Sequence, residues 1–148
     1  MLKIAIAAAV LVATVAAVPN EQQMAALNPF IGTWHCTVEA GGKTGTLDQI
    51  FTPVFDGAWL ETREIVTIGG KPKTISLHYT GYDKRTKQYV HFGPDFDGSY
   101  EMAHSDDAAT WTNDEGRFVF HSESPQTRTM TATAPDGTLL ETMRCTRA

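Results

Sequence analysis

From residue 30 onward, the chain is divided into short segments by turn-forming groups of Gly, Asp and Pro. The groups recur at intervals of about eight to twelve residues, which is typical of an all-β domain. Two of them, Asp56-Gly57 and Asp136-Gly137, are direct signals for β-hairpins. No segment after residue 30 has the length or the apolar period of a helix. The spacing therefore restricts the chain to an antiparallel all-β fold and favours an up-and-down meander over a Greek key.

The turn groups delimit ten predicted strands, preceded by a short N-terminal helix over residues 21–27. Asn20 is placed to cap that helix, and Asn28-Pro29 is expected to end it. Neither an internal repeat nor a low-complexity linker interrupts the 148 residues, so one domain is expected. The strands are predicted near residues 31–39, 44–55, 58–68, 73–80, 87–93, 98–104, 108–112, 116–123, 127–134 and 138–147.

The two cysteines lie in the first and last predicted strands. By alternation, Cys36 shares a strand face with Trp34, and Cys145 shares one with Met143 and Arg147. A disulfide between them would join the two strands that are neighbours in a closed meander and would protect both edges. Closing a loop of about 110 residues corresponds to about 4–5 kcal/mol in the chain-entropy description. We therefore expect a closed antiparallel up-and-down β-barrel of about 8–10 strands; two buried free thiols are the alternative.

The N-terminal segment has the layout of a secretory signal peptide over residues 1–17. Lys3 supplies a positive start, a nearly unbroken apolar run follows, and Val15-Ala16-Ala17 offers small residues for cleavage. The run is short for a bilayer span, although an uncleaved membrane anchor is the alternative. The signal predicts a periplasmic or secreted protein whose domain covers residues 18–148, without stable membrane insertion after cleavage.

Charge excludes one class of partner. Without the signal, the chain carries 11 basic and 17 acidic residues, and the acidic groups are scattered along it. Phosphate backbones require clustered Lys and Arg, so we expect no nucleic-acid partner. No sequence pattern indicates an oligomeric state.

Several motifs together resemble a known family. Gly32-Thr33-Trp34 opens the first strand, Phe55 to Leu60 reads FDGAWL, and Tyr79 to Asp83 with Lys87 to Val90 reads YTGYD and KQYV. Over roughly residues 24–148, the chain resembles lipocalin-like (calycin) exported bacterial proteins of the DUF1579 type. The resemblance implies that Trp34 closes one end of the barrel beneath an arginine of the last strand, either Arg147 or Arg144. It implies no settled activity, and no catalytic residue can be carried over from it.

A barrel of this size has room for a small ligand. The expected partner is a small hydrophobic molecule, apolar or aromatic, held in the interior. A structural domain with a filled core is the alternative. The residues predicted to form the pocket are large or aromatic residues assigned inward by alternation, namely Trp34, Leu77, Tyr79, Phe92, Tyr100, Met102, His104, Phe118 and Phe120.

The histidines and one charged pair are the residues of the chain that could carry chemistry. No two histidines have the i, i+2 spacing of a strand-borne metal pair, and alternation assigns His78, His91 and His121 outward, so neither a metal nor a cofactor is expected. Glu61 and Arg63 share a strand face, which suggests either an enzyme on the same barrel or a surface ion pair. We assign no catalytic residue from the sequence.

Overall fold

The structure is a computed structural model, and it describes residues 21–148. The predicted signal peptide, the domain start at residue 18 and the helix cap at Asn20 lie outside these residues. Two short helices precede ten strands. Their bounds are α1 Glu21–Met24, a 3-10 helix Ala25–Phe30, β1 Gly32–Ala40, β2 Lys43–Val54, β3 Trp59–Ile68, β4 Lys71–Asp83, β5 Gln88–Pro94, β6 Tyr100–Ser105, β7 Thr110–Asn113, β8 Gly116–Ser124, β9 Thr127–Thr133 and β10 Leu139–Arg147.

The helical segment differs from the prediction at its end. The α-helix changes to a 3-10 helix after Met24, and this 3-10 helix continues through Pro29, whereas the sequence predicted that the helix ends at Asn28-Pro29. Proline lacks an N–H donor, and a 3-10 segment this short loses little by that. The backbone N–H of Ile31 donates to Asn28 at 3.1 Å and closes the segment. Among residues 21–148, no helix has the length and apolarity needed to span a bilayer.

The ten strands form one closed barrel in which each strand pairs antiparallel with its neighbours in sequence. β1 also pairs with β10, and this closes the sheet on itself. The two predicted DG hairpins are present, one between β2 and β3 and one between β9 and β10. The all-β, closed up-and-down architecture predicted from turn spacing is therefore confirmed.

The disulfide lies on the seam between β1 and β10. Cys36 and Cys145 are direct cross-strand partners, their Cα atoms are 4.0 Å apart, and their sulfurs are bonded. Both are buried. The predicted bond is confirmed. It covalently links β1 and β10, the first and last strands of the chain.

Trp34 is buried and contacts the segment before β1 and two arginines. Its indole N–H donates to the Phe30 carbonyl at 2.7 Å, and the guanidinium carbons of Arg147 and Arg128 lie 4.5 and 4.3 Å from its ring. Arg147 donates to the carbonyls of Ile31 and Pro29 at 2.6 and 2.9 Å, which ties the last strand to the segment before β1. Of the two arginines implied by the resemblance, Arg147 is the one that contacts Trp34.

Candidate functional site

The barrel encloses a cavity of about 340 Å³. This volume falls within the range of about 300–1,000 Å³ that is usual for small-molecule sites. Most of its wall is apolar, built from side chains that point inward from both halves of the barrel. The apolar lining consists of Leu27, Phe30, Val38, Leu47, Phe51, Leu60, Ile75, Ala103, Trp111, Phe118, Phe120, Met130 and Met143.

The remaining wall is polar and carries negative charge. Four carboxylates line it, and the described lining contains no lysine or arginine. Burial, together with the nearby Glu64, raises the pKa of Glu141. The polar lining consists of Gln49, Thr62, Glu64, His78, Thr80, His91, Asp95, Glu101 and Glu141.

Two histidines and two carboxylates meet at one place on this wall. The Nε2 atom of His78 lies 3.4 Å from Oδ1 of Asp95 and 3.9 Å from Oε2 of Glu101. The Nε2 atom of His91 lies 4.0 Å from the same Oε2 of Glu101. The two imidazole ring centres are 4.6 Å apart. We call these four residues the histidine–carboxylate cluster.

Neighbouring side chains hold three members of the cluster in place. Nδ1 of His91 is hydrogen-bonded to Oγ1 of Thr80 at 2.8 Å, which leaves Nε2 facing Glu101. Asn113 donates to Oε1 of Glu101 at 3.5 Å. The Ser99 hydroxyl lies 2.7 Å from Oδ1 of Asp97 and 3.3 Å from Oδ2 of Asp95, so its single proton is shared between these two carboxylates. In each carboxylate, one oxygen accepts a hydrogen bond and the other faces the histidines.

Burial sets the protonation of the cluster. Burial, with the neighbouring His78, lowers the pKa of His91 to about 3, so this imidazole is neutral at pH 7. Burial, followed by the charges of Asp95, Glu64 and Glu115, raises the pKa of Glu101 to about 7. A neutral imidazole beside a carboxyl group that titrates near neutrality can bind a cation or exchange a proton.

A buried arginine, Arg128, lies against three aromatic rings, two of which line the cavity. Arg128 donates to Oε1 of Gln49 at 2.5 Å, and Gln49 donates to Glu64 at 2.6 Å. Burial, with the charge of Arg147, lowers the pKa of Arg128 to about 9 although Glu64 opposes the shift. Its guanidinium carbon also lies 4.3–5.1 Å from three aromatic rings, those of Phe30, Trp34 and Phe51. Cation–π contacts thus offset part of its desolvation.

Three of the nine predicted pocket residues lie inside the barrel. Phe118 and Phe120 line the cavity, and Trp34 is buried next to Phe30 and Arg128 without being part of the lining. Ligand binding by these three residues stays a prediction.

The inward orientation assigned to the other six predicted residues is wrong. They lie on the strand face opposite the cavity lining, and none of them lines the cavity; they are Leu77, Tyr79, Phe92, Tyr100, Met102 and His104. Phe92 packs against Trp59 and Tyr79, with ring centres 5.5 and 6.1 Å apart. Large side chains on β4 and β5 therefore cover one another on the outer surface.

The same error placed two histidines outside. His78 is buried and His91 lines the cavity beside it. A usable signal was present in the sequence: the turn between Asp83 and Gln88 pairs Thr80 with His91 and Tyr79 with Phe92, so His78 and His91 share one face of the hairpin while Tyr79 and Phe92 share the other. Nε of Arg63 lies 2.8 Å from Oε1 of Glu61, and neither residue lines the cavity. The two residues therefore form the surface ion pair that was the alternative to a catalytic role.

Comparison of the sequence with protein-family models finds no match, and comparison with curated proteins finds none either. Among solved structures, the chain is similar to a redesigned beta barrel. That likeness has a TM-score of 0.47 and 18% sequence identity, and it covers 83% of this chain and 95% of the other. The assignment of a closed ten-stranded barrel rests on the chain's own strand pairing.

Proposed function

We propose that the protein is an exported barrel that binds a small apolar or aromatic molecule in its interior. The single observation that carries this proposal is the cavity of about 340 Å³, which side chains leave open in the middle of the barrel. A structural domain with a filled core would bury its apolar side chains against one another instead.

The lining specifies the class of ligand. Aromatic and aliphatic side chains supply most of the wall, so burial of apolar ligand surface would drive binding. The polar side chains are confined to a minority of positions and would set the orientation of the ligand. Because the lining carries carboxylates and, among residues 21–148, no lysine or arginine, a neutral or positively charged ligand fits better than an anionic one.

Export is part of the same proposal. The disulfide between Cys36 and Cys145 supports an oxidising compartment, where such bonds persist. The signal-like residues 1–17 support it independently. N-terminal sequencing of the mature protein from its host tests this part: a mature chain starting near Val18 is expected, and an intact Met1 contradicts it.

Kinship with the lipocalin-like DUF1579 proteins also belongs to the proposal. It is supported by Gly32-Thr33-Trp34 at the start of β1 and by the stacking of Arg147 on Trp34. Gly32 has a φ of +121°, and a Cβ there would lie 2.9 Å from Nη1 of Arg147. Glycine is therefore the residue that suits both this backbone conformation and the arginine contact.

Binding is tested by native mass spectrometry of protein purified from its host, followed by titration with a neutral apolar dye and with an anionic one. We expect a retained small molecule and preference for the neutral dye. Ala103→Phe extends a ring into the cavity and should weaken dye binding, while Thr131→Phe, on the exposed face of β9, should not. Equal binding by both variants, with thermal unfolding showing both folded, contradicts the proposal.

A further inference from the structure

We propose that His78, His91 and Glu101, with Asp95 as a fourth ligand, bind a divalent transition-metal ion such as zinc on the cavity wall. The site does not depend on the proposed small-molecule function. It would hold its ion whether or not the apolar part of the cavity is filled.

The distances suit a single ion. Two ligands bound at about 2.0–2.2 Å to one tetrahedral ion lie about 3.3–3.6 Å apart. The His78–Asp95 separation is 3.4 Å, and the separations from Glu101 to His78 and His91 are 3.9 and 4.0 Å. One ligand atom from each of His78, His91 and Glu101 lies within 4.8 Å of the others. Small side-chain rotations would bring all of them to bonding distance.

His78 provides an independent observation. Its side chain is only 6% exposed, and its Nε2 atom has no hydrogen-bond partner among the described residues. Leaving a buried polar nitrogen unsatisfied costs about 1–3 kcal/mol. That nitrogen points at two carboxylate oxygens without hydrogen-bonding to either, which is the arrangement expected of an imidazole that needs a metal ion as its partner.

The surrounding hydrogen bonds match those that orient metal ligands. A ligating histidine usually has its other ring nitrogen fixed by a hydrogen bond, and ligating carboxylates are fixed in the same way. Thr80 fixes His91, Asn113 donates to Glu101, and the Ser99 hydroxyl, shared with Asp97, lies 3.3 Å from Asp95. Each bond occupies the atom that faces away from the centre of the cluster.

Charge and donor chemistry select the type of ion. Two imidazoles with two carboxylates give a mixed N/O donor set, which suits zinc and its first-row neighbours better than calcium or magnesium. Two carboxylates also balance the charge of a divalent ion. No lysine or arginine of the described lining competes for them.

The test uses untagged protein, stripped with EDTA and titrated with zinc chloride by calorimetry, with cobalt absorption to report the donor geometry. We expect one ion per chain. His78→Ala, His91→Ala and Glu101→Gln should each weaken binding by at least the roughly 10–100-fold that second-shell changes cause. Thr80→Val keeps the shape of the side chain and all ligand atoms, and it should weaken zinc binding about 10–100-fold.

Two other histidines provide the controls. His104 is exposed on β6, the strand that carries Glu101, and His35 is exposed with Asp48 at 2.6 Å, where zinc could bind adventitiously. His104→Ala and His35→Ala should bind zinc as the parent does. Absence of zinc binding by the parent, its loss in either control, or its retention in the folded Thr80→Val and His91→Ala variants would overturn the proposal.

Discussion

Nε2 of His78 lies 3.9 Å from Oε2 of Glu101 although β5 runs between their strands. Strands in a sheet are about 4.8 Å apart, so side chains two strands away normally do not meet. Here the intervening inward position is Gly93, which is the cross-strand partner of Glu101 and lies beneath the His78 ring. The missing side chain leaves the space in which the two groups approach.

The first prediction concerns this glycine. A Cβ on Gly93 would lie 2.1 Å from the Leu77 carbonyl oxygen and 2.7 Å from Cδ2 of His78, so the backbone and the ring must both shift. Gly93→Ala should reduce the free energy of unfolding by about 1–3 kcal/mol, the usual cost of overpacking. It should also weaken zinc binding. Urea unfolding measures the first effect and calorimetry the second.

Gly45 provides the matched control for Gly93. It lies in β2, and a Cβ there would meet nothing within 4 Å. Gly45→Ala should therefore leave stability unchanged or slightly increased. If Gly93→Ala were as stable as Gly45→Ala, the close approach of β4 and β5 at this point would be disproved.

The second prediction compares the two arginines of β10. Arg147 stacks on Trp34 and donates to the carbonyls of Pro29 and Ile31, so Arg147→Ala should cost about 2–3 kcal/mol. Arg144 forms an exposed pair with Glu123 at 2.7 Å, and Arg144→Ala should cost under about 1 kcal/mol. Chemical denaturation of both variants tests the difference. Similar losses would mean that Arg147 does not tie the last strand to the segment before β1.

The barrel and its seam were accessible from the sequence because they depend on local rules. Turn spacing predicts about 8–10 strands, and strand parity places Cys36 and Cys145 on the same side of the first and last strands. Turn spacing depends only on residues that are close in sequence. The pairing of the first and last strands is indicated by a single disulfide. The family resemblance implied an arginine of the last strand beside Trp34 and left Arg147 and Arg144 open; the structure places Arg147 there.

The histidine–carboxylate cluster was missed because the interior was assumed to be the more aromatic face. That assumption fails on β4 and β5, where Tyr79 and Phe92 point outward and Phe92 packs against both Tyr79 and Trp59. A barrel with an open cavity does not need large side chains on every inward position. The inward polar side chains therefore produce no apolar alternation in the sequence. Only the pairing register of the β4–β5 hairpin, which turns between Asp83 and Gln88, could have shown that His78 and His91 face inward together.

The third prediction concerns the disulfide. The Cys36–Cys145 bond closes a loop with a sequence separation of 109 residues, for which chain entropy gives about 4–5 kcal/mol. Reduction of the parent should therefore lower its free energy of unfolding by about 4–5 kcal/mol, seen as a lower urea midpoint. A Cys36→Ala/Cys145→Ala variant should unfold at a similarly low midpoint and be insensitive to dithiothreitol. An unchanged midpoint on reduction would show that the seam is held by strand pairing alone.

The last prediction is a pH dependence at Glu141, a cavity carboxylate outside the histidine–carboxylate cluster. Burial and the charge of Glu64 raise the pKa of Glu141 above its ordinary value of 4.5, so the folded state holds this proton more tightly than the unfolded state. Its contribution to stability is therefore present at pH 4 and is lost as pH rises through the folded pKa. Glu141→Gln removes this loss, so the variant should gain stability relative to the parent at pH 8 and little at pH 4. Urea unfolding in EDTA at both pH values measures the gain, and Glu39→Gln, at an exposed position of β1, is the control. A difference between Glu141→Gln and the parent that is the same at pH 4 and pH 8 would rule out the desolvated carboxylate at this position.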